Sequence, residues 1–543
     1  MKRFTTFTLG VLLAVLVLNA GASFSPTQSA QADGSLPPIP GGLPSSFTLG
    51  LANQADNIGW MTGSGVGWNS RYQYITGGVN TDSNWKTWNS PAGMYASYYM
   101  EDSARAGYLP VETYYQLLQS SPSSGNNEIE RDFNNLNNYS TMWAYYDDFK
   151  LLMVQARNFG KPVIVQIEPD LMGFLQKRST NPNNLSAVVG SSGYSDVAGY
   201  PNTVAGFNQA MVGLRNKYAP NVLLAYHIST WASSFGDIST SSDPNFNTQG
   251  AAQETASFYQ QTGANYDLLF YDVADRDAAL YQSWGNPNTW WDVNNVTFPN
   301  FNRFHQYTSL ITTQTGKRGM LWQVPIGNTV SRTMNNTNHH WQDNRAQYYL
   351  NNSGNQHLQD LANSGIIGIL FGGGDSNCTS YYDSAYDGVT NPNPINGNNA
   401  WSNVSDDDGG YLRQQAQAYY ARGGLSLPSS GTPPAPPAPS VWQLSASTSG
   451  TLTNGSTVTV SANFAAPANT SGTYLVDIEV YDLNTNQKVK QWWGNQSFTA
   501  GQPQTLTNSL QVQTGRYQVR LGIFTTNWSN IAWLQNGPTY QVN

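Results

Sequence analysis

Short, almost continuous apolar runs alternate with amphipathic segments over the first 425 residues of the chain. Runs such as VIVQI, VLLAY, DLLFY and IIGIL are typical of parallel strands buried on both faces. The pattern predicts eight strands, at Phe47–Asn53, Tyr72–Val79, Leu109–Leu118, Pro162–Asp170, Asn221–Ser229, Asp267–Asp275, Arg318–Gly327 and Gly365–Gly373. It predicts helices at Pro91–Ala106, Tyr139–Phe159, Thr203–Tyr218, Gly250–Thr262, Phe301–Thr315, His340–Asn363 and Gly410–Ala421.

Eight alternating strand and helix units within residues 33–425 predict an α/β fold, a (β/α)8 TIM barrel with long loops after its strands. Glycines such as Gly160 and Gly316 follow the predicted helices where C-caps belong. The alternative is a doubly wound open sheet, which would need a glycine fingerprint after its first strand. The sequence has no such fingerprint there, so we favour the barrel.

The chain changes character after the Pro-rich stretch at residues 426–440, which we interpret as a semi-rigid linker. Residues 441–543 lack a helical period and show strand alternation in TVTVSANF, TYLVDIEVYD and RYQVRLGIF. This pattern predicts a small all-β sandwich domain. Neighbouring residues on a strand face opposite sides, so one of Trp492 and Trp493 should be buried and the other exposed. We expect the domain either to bind polysaccharide or to support the barrel.

The N-terminus has the features of a secretory signal. A basic start, Met1-Lys2-Arg3, precedes an apolar run from Leu9 to Leu18, and Ala30-Gln31-Ala32 matches a cleavage site. The run is shorter than the about 20 residues of a transmembrane helix. We therefore predict a signal peptide at residues 1–32 and a secreted, extracellular protein of bacterial origin. A membrane anchor is the alternative; after signal cleavage we expect no membrane partner.

Composition narrows the classes of function. Aromatic residues make up 13% of the 543 residues and charged residues only 11%, against roughly 25% charged residues in average proteins. This balance suits an extracellular protein that handles carbohydrate. The net charge of -8 and the absence of a basic cluster argue against a nucleic-acid partner. A single cysteine, Cys378, excludes a disulfide framework and a multi-thiolate metal site.

The sequence contains no pattern that indicates a metal or cofactor site. The chain has only 5 histidines, and the adjacent pair His339 and His340 would face different directions on a helix. We therefore expect no metal and no cofactor. We also expect the chain to act as a monomer, with a polysaccharide as its partner.

Candidate chemistry lies at the carboxyl ends of the predicted strands, where TIM barrels have their active sites. Acids stand after the fourth, sixth and eighth strands, as Glu168, Asp170, Asp272, Asp275, Asp277 and Asp375. Side chains two apart on a strand point the same way, so Glu168 and Asp170 should share one environment, and Arg276 should point away from its neighbours. The residues expected to contact substrate are Tyr271, His227, Trp231, Trp322, Gln323 and Asp375.

Carboxylates surrounded by aromatic and amide side chains are typical of a sugar-cleaving cleft. Glycoside hydrolysis needs two carboxyl groups across the scissile bond, one of them protonated. We predict a glycoside hydrolase that cleaves a polysaccharide with water. Asp170 or Glu168 would be the acid, and an aspartate of strand six (Asp272, Asp275 or Asp277) would be the base or nucleophile. Carboxyls of strands four and six should approach within roughly 5–10 Å.

Two alternatives stay open. The acids could cap helices or pair with Arg276, Arg318 or Arg345, and Asp375 could belong to a plain glycine-rich loop. The protein could also be a non-catalytic carbohydrate-binding or cell-surface protein on a TIM-barrel scaffold. The seventh strand favours this second alternative, because it ends near Gln323 and has no acid.

The strand pattern with acids at the barrel mouth resembles the secreted TIM-barrel glycoside hydrolases. Their largest clan has Asn-Glu at the end of strand four and a glutamate on strand seven, where this chain has Ile167-Glu168 and Gln323. Two short motifs resemble family 6 cellulases in the reverse order: EPD ending at Asp170, and YDVADRD from Tyr271 to Asp277. The resemblance implies Asp170 as the acid, assisted by Tyr271 and Asp277. The C-terminal region resembles the immunoglobulin-like or carbohydrate-binding sandwiches appended to such enzymes.

Overall fold

The computed structural model describes residues 36–351, 354–428, 442–467, 470–535 and 537–542. The predicted signal peptide and residues 429–440 of the predicted linker lie outside the described residues. The chain divides into a larger unit, which extends to Gln443, and a smaller unit, which contains the strands from Leu444 onward. Within the described ranges, we find no helix with the length and apolar character needed to cross a membrane.

The larger unit is a closed barrel of eight parallel strands in sequential order, and the eighth strand pairs with the first. The strands are β1 Thr48–Ala52, β2 Ser70–Ile75, β3 Leu109–Tyr114, β4 Val163–Ile167, β5 Val222–Ser229, β6 Leu268–Asp272, β7 Gly319–Val324 and β8 Ile366–Phe371. The predicted (β/α)8 barrel is confirmed. Seven predicted strands contain the observed strand, and the second, predicted at Tyr72–Val79, overlaps β2 but starts two residues late. Every residue of β4, β6, β7 and β8 is buried, as their apolar runs predict.

Helices form the outer layer of the barrel and cover the strands. They are α1 Ile58–Gly63, α2 Met94–Arg105, α3 Glu128–Leu136, α4 Tyr139–Phe159, α5 Leu171–Arg178, α6 Val204–Tyr218, α7 Thr248–Gln261, α8 Ala278–Ser283, α9 Phe301–Thr315, α10 Arg345–Leu350, α11 Gln356–Asn363 and α12 Tyr411–Ala421. Helix α4 has its predicted bounds: the Asn138 side chain accepts from the Thr141 N–H at its start, and Gly160 ends it in the left-handed region.

One predicted helix, His340–Asn363, is wrong as a single element. The chain forms α10 and α11 there instead, and Asn355 between them has a left-handed φ of 54° that interrupts helical geometry. The start of the predicted linker also contacts the barrel. The Leu427 N–H donates to the Ser45 carbonyl at 2.8 Å, and the Pro428 carbonyl accepts from the Arg318 guanidinium at 2.7 Å.

The fourth strand is shorter than predicted, and this changes the candidate site. Strand β4 ends at Ile167, and the next residues leave the extended conformation, because Glu168 has a φ of 39° and Asp170 a φ of 65°. The two-residue alternation of a strand does not continue through such residues. The prediction that Glu168 and Asp170 share one environment is therefore wrong.

The smaller unit consists of antiparallel strands in two sheets, as the predicted sandwich requires. The strands are β9 Gln443–Ser449, β10 Thr457–Ala465, β11 Gly472–Asp482, β12 Gln487–Phe498, β13 Pro503–Gln511, β14 Gly515–Phe524, β15 Asn530–Leu534 and β16 Thr539–Val542. One sheet has the order β13-β10-β9; the other has β12-β11-β14-β15, with β16 beside β14. Trp492 is 6% exposed and Trp493 43%, so the two face opposite sides of β12 as predicted.

Candidate active site

Asp170 and His227 meet at the carboxyl ends of β4 and β5. The Nε2 of His227 lies 3.4 Å from the Oδ1 of Asp170, and the Ser229 hydroxyl donates to the same oxygen at 3.1 Å. The Asp170 side chain is 35% exposed, whereas the His227 ring is fully buried. The Asp170 carboxylate is therefore accessible to solvent, and Ser229 and His227 of β5 contact it on its buried side.

A chain of hydrogen bonds inside the barrel fixes the tautomer of His227. The Thr113 hydroxyl donates to the side-chain oxygen of Gln166 at 3.0 Å, and the Gln166 amide nitrogen lies 2.9 Å from the Nδ1 of His227. An amide nitrogen can only donate, so Nδ1 accepts and Nε2 holds the hydrogen. His227 therefore directs an N–H group toward Asp170.

Asp272, the last residue of β6, completes this group of side chains. One ligand atom each of Asp170, His227 and Asp272 lies within 4.8 Å of the others. Asp272 is 9% exposed, and its pKa is raised well above the ordinary value, first by burial and then by the negative charges of Asp170 and Asp275. Asp272 therefore keeps its proton to a higher pH than an exposed aspartate does.

The group opens into a cleft of about 390 Å³, here called the first basin. Its lining includes Asp170, Asp272 and Asp275, together with the aromatic side chains of Trp231 and Tyr281. Trp231 packs on Phe174 with a centroid separation of 5.0 Å, which holds the indole in place at the rim. The arrangement combines an acid with a raised pKa, a second carboxylate and aromatic surface in one cleft.

Asp275 and Asp375 belong to an arginine bridge across the rim of the barrel. The Arg276 guanidinium contacts the carboxylate of Asp275 and lies 3.5 Å from that of Asp375. The expectation that Arg276 points away from its neighbours is wrong, because β6 ends at Asp272 and the following residues are not extended. The alternative of arginine pairing thus holds for Asp275 and Asp375. In the described part of the chain, no arginine ion pair includes Asp170 or Asp272.

The end of β7 contributes Trp322 and Gln323 to the interior of the mouth. The Trp322 ring lies 5.5 Å from that of His227, edge to face, and is only 3% exposed. Gln323 has a left-handed φ of 54°, where the β7–β8 register shifts, and its amide donates to the Tyr74 hydroxyl. Trp322 therefore supports His227 from inside the barrel, and Gln323 fixes Tyr74.

His227, Trp322 and Gln323 stand behind the lining of the cleft, and Asp375 lies beyond the arginine bridge. Three further predicted site residues have structural roles away from the cleft. The Glu168 carboxylate accepts from the backbone N–H of Gln116 at 3.1 Å and is 1% exposed. Asp277 is fully buried and accepts from the Gly327 and Thr379 N–H groups at 3.1 and 2.9 Å, so it ties two loops together.

The third is Tyr271, whose fully buried ring stands against the backbone of Gly319. The hydroxyl group of Tyr271 lies near Thr312 of α9, on the helical side of the strand. The assisting roles that the cellulase resemblance implies for Tyr271 and Asp277 therefore find no support in their positions.

Sequence reasoning missed two residues near the acids, Tyr74 and Glu128. Burial, and then the charges of Asp170 and Asp275, raise the pKa of the Tyr74 hydroxyl, so this phenol stands among the acids. Glu128, the first residue of α3, accepts from the Tyr115 hydroxyl at 2.5 Å; burial raises its pKa, and Asp170 adds to the effect. Tyr74 lies near the carboxyl end of β2, so the same search for polar residues at strand ends would have found it. Glu128 begins α3 after the long loop that follows β3, and no sequence signal points to it.

The other candidates from the sequence have structural contacts. His340 is buried and bonds the Asp407 carbonyl and the Asp387 carboxylate. Cys378 is buried, its Sγ lies 3.6 Å from the Asp275 carbonyl, and burial raises its thiol pKa. Within the described chain, the residues that could hold a metal ion are Asp170, His227 and Asp272. An ion at Nε2 of His227 would require the proton to move to Nδ1 and the Gln166 amide to turn over.

No protein-family model matches the chain, and no relative was found among the curated proteins. Solved structures give low similarities. The calcium-binding mutant of Bacteroides uniformis β-glucuronidase 2 is 8% identical over 93% of this chain and 47% of its own, with a TM-score of 0.34. The family 1 β-glucosidase from Thermotoga maritima is 8% identical over 62% of this chain and 89% of its own, with a TM-score of 0.33.

A third solved structure, a glycosyl hydrolase family 2 member from Bacteroides cellulosilyticus, is 10% identical over 91% of this chain and 45% of its own, with a TM-score of 0.28. The chain thus spans about half the length of that protein and of the β-glucuronidase. We draw nothing about activity from similarities at these values. The barrel topology and the geometry at its mouth define a (β/α)8-barrel protein with paired carboxyl groups in an aromatic-lined cleft.

Proposed function

We propose that the protein is a glycoside hydrolase that cleaves a polysaccharide in the first basin. The observation that supports it best is the pair Asp170 and Asp272, whose oxygens lie within 4.8 Å at the mouth of the barrel. Two carboxyl groups, one kept protonated, are what this reaction needs. Trp231 and Tyr281 supply flat apolar surface for sugar rings beside the pair.

Asp272 is the proton donor in this proposal, and Asp170 is its partner. Burial and neighbouring charges keep the proton on Asp272, which can pass it to the leaving-group oxygen. Asp170 is more exposed, accepts a hydrogen bond from the Ser229 hydroxyl and lies 3.4 Å from the Nε2 of His227, surroundings that suit a carboxylate. These roles reverse the prediction from the sequence, in which Asp170 or Glu168 is the acid and an aspartate of strand six is the base or nucleophile.

The spacing of the pair favours retention of configuration. Inverting enzymes place a water molecule between sugar and base and separate their carboxyls by about 6.5–9.5 Å, whereas retaining enzymes use about 5–5.5 Å. One oxygen of each carboxyl lies within 4.8 Å of the other, which is closer to the retaining separation than to the inverting one. Asp170 would thus attack the sugar, and Asp272 would protonate the departing oxygen and then activate water.

Secretion, a polysaccharide partner, monomeric action and the lack of a cofactor belong to the same proposal and are supported by the sequence. The N-terminal signal pattern precedes a chain rich in aromatic and amide side chains. The direct test is to incubate the purified protein with a panel of neutral, amino-sugar and acidic polysaccharides and to follow new reducing ends. Proton NMR of the first products gives their anomeric form. No cleavage of any polymer would favour the non-catalytic alternative.

A metal-dependent hydrolase is a second candidate, favoured by the grouping of Asp170, His227 and Asp272. The three could hold an ion that activates water only if His227 changes its tautomer. Chelator treatment separates the two candidates. Activity that survives dialysis against a chelator supports the carboxylate mechanism, and activity that is lost and then restored by a divalent ion supports the metal.

The pH profile should respond to Asp275. Because its charge helps to raise the pKa of Asp272, Asp275→Asn should lower that pKa, and the freed Arg276 charge acts in the same direction. Activity needs the protonated acid, so the alkaline limb of kcat/KM should move to lower pH, by about one unit for a loss of about 1.4 kcal/mol of interaction. An unchanged alkaline limb would contradict the role of Asp272.

The C-terminal sandwich is proposed to bind polysaccharide through exposed aromatic rings. Trp493 and Trp528 are 43% and 45% exposed and lie 5.3 Å apart, and Phe524 packs on Trp528. Replacing both tryptophans by alanine should lower pull-down by the insoluble polymer about tenfold, with an unchanged melting temperature. Val489→Ala, an exposed apolar control on the same strand, should change neither. Unchanged pull-down would exclude binding there, and a loss of folding would indicate a supporting role.

A further inference from the structure

A second cavity of about 710 Å³, here called the second basin, opens beside the first on the mouth of the barrel. It is lined by residues that follow β1, such as Gln54 and Asn57, and by the long segment after β8, including Gly374 and Tyr386. The mechanism proposed above uses none of these residues. A volume of this size is within the range of small-ligand sites, about 300–1,000 Å³.

The wall of the second basin is fixed by buried hydrogen bonds. The Asn53 amide donates to the Tyr381 hydroxyl at 2.9 Å, and its carbonyl oxygen accepts from the buried Arg71 at 2.9 Å. The Tyr381 ring also packs on Trp60, with a centroid separation of 4.5 Å. A wall held in this way is preformed, so a ligand would lose little free energy in ordering it.

The surface of the second basin is both polar and aromatic. Tyr386 stands at its edge with 87% of its surface exposed, and Gln54 and Ser376 offer amide and hydroxyl groups. Its described lining includes the acids Asp56 and Asp375 and no lysine, arginine or histidine. Hydroxyl-rich ligands with flat apolar faces suit such a surface, whereas acidic ligands would meet unfavourable charges.

The two basins adjoin directly. The Gly374 N–H, in the second basin, donates to the carbonyl of Asp275, in the first, at 2.6 Å. The Arg276 bridge contacts Asp275 on one side and Asp375 on the other. Only the first basin contains the Asp170 and Asp272 pair. A ligand that reacts in the first basin can therefore extend over the bridge into the second.

We infer that the two basins form one groove for a polymer of uncharged or amino sugars. The first basin holds the unit that is cleaved, and the second basin binds further units of the same chain. The inference takes the reaction from the proposed function. The length and charge of the substrate are inferred from the second basin. It predicts that the protein binds long oligosaccharides more tightly than short ones.

Binding measured by calorimetry tests the groove without turnover. The protein is the full chain with Asp272→Asn, and the probes are di- and hexasaccharides of glucose, mannose, xylose and glucosamine, with an oligogalacturonate as the acidic comparison. At least one hexasaccharide should bind about tenfold more tightly than its disaccharide, and the oligogalacturonate should bind most weakly. No preference for any hexasaccharide, or tightest binding of the oligogalacturonate, would overturn the inference.

Tyr386→Ala in the same background tests the second basin itself. It should raise the Kd of the preferred hexasaccharide about fivefold to tenfold, up to about 1.4 kcal/mol, and change the disaccharide less. Tyr98→Ala is the matched control, because Tyr98 is 44% exposed on α2 and lines neither basin. Equal hexasaccharide affinity in the two variants would overturn the inference even if polymers are hydrolysed. A different outcome would separate the two proposals. If Tyr386→Ala loses affinity but the unmodified protein hydrolyses no polymer, the groove is supported and the hydrolase function is rejected.

Discussion

Asp272→Asn and Asp170→Asn should each lower kcat on the preferred polysaccharide by roughly a thousandfold or more. Removing a general acid costs about a hundredfold to ten-thousandfold, and the loss of the attacking carboxylate prevents the covalent step. Both changes keep the side-chain shape, so the fold should persist. The exposed Asp82→Asn should leave the rate unchanged.

The two variants should differ in how their activity can be restored. A substrate with a good leaving group, such as a nitrophenyl glycoside, needs no proton, so Asp272→Asn should cleave it far better than the polymer. Asp170→Ala should instead recover with added azide, which can attack from the space that the shorter side chain leaves. If the Asp170 variant is the one that cleaves the activated substrate well, and the Asp272 variant is the one that azide restores, Asp170 is the acid. If both variants keep full activity and Glu168→Gln loses it, Asp170 and Asp272 are not the catalytic pair.

The barrel should lose stability as the pH rises from about 5 to about 9. Buried acids away from the cleft have pKa values raised chiefly by burial, to about 8 for Glu168, Asp277 and Asp408 and to about 9 for Asp132. In the unfolded chain such acids ionise near pH 4. Between those values the unfolded chain releases protons that the folded barrel keeps, so rising pH favours unfolding by up to about 1.4 kcal/mol per unit for each acid.

This stabilisation is complete below about pH 4 and is lost as the pH passes through the raised values. The melting temperature at pH 9 should therefore be several degrees lower than at pH 5.5, since 1 kcal/mol corresponds to about 2–4 °C in a domain of 150–250 residues and to less in a larger one. Differential scanning calorimetry at constant ionic strength measures it. A melting temperature that does not change with pH, or that rises, would contradict the burial of these acids.

Glu168→Gln isolates one of these acids. Glutamine cannot ionise, and its oxygen can still accept from the Gln116 N–H. The variant should melt about 5 °C above the unmodified protein at pH 9 and close to it at pH 5.5. Glu101→Gln on the exposed face of α2 is the control and should follow the unmodified protein at both pH values. Identical curves for the two variants would show that Glu168 does not contribute.

The sequence predicted the barrel because its strands are buried on both faces. A run such as VIVQI has no polar face for water, so only a sheet covered by helices accommodates it, and α4 and α9 have their predicted bounds. The strand-end rule then placed Asp170, His227 and Asp272 at one mouth. This prediction needs only chain order and strand length, and these are local properties of the sequence.

Tertiary structure decided which of the acids meet and in what state. Left-handed residues at the end of β4 separate Glu168 from Asp170. The hydrophobic periodicity of the sequence does not indicate where the backbone becomes left-handed. The long loop after β3 brings Glu128 to the acids, and the bridge of Arg276 depends on a loop from β8. The raised pKa of Asp272 results from burial and from charges that lie far apart in the chain. The sequence by itself therefore determined the barrel and the end that holds the site, whereas the pairing and protonation of its carboxyls depend on distances that only the folded chain sets.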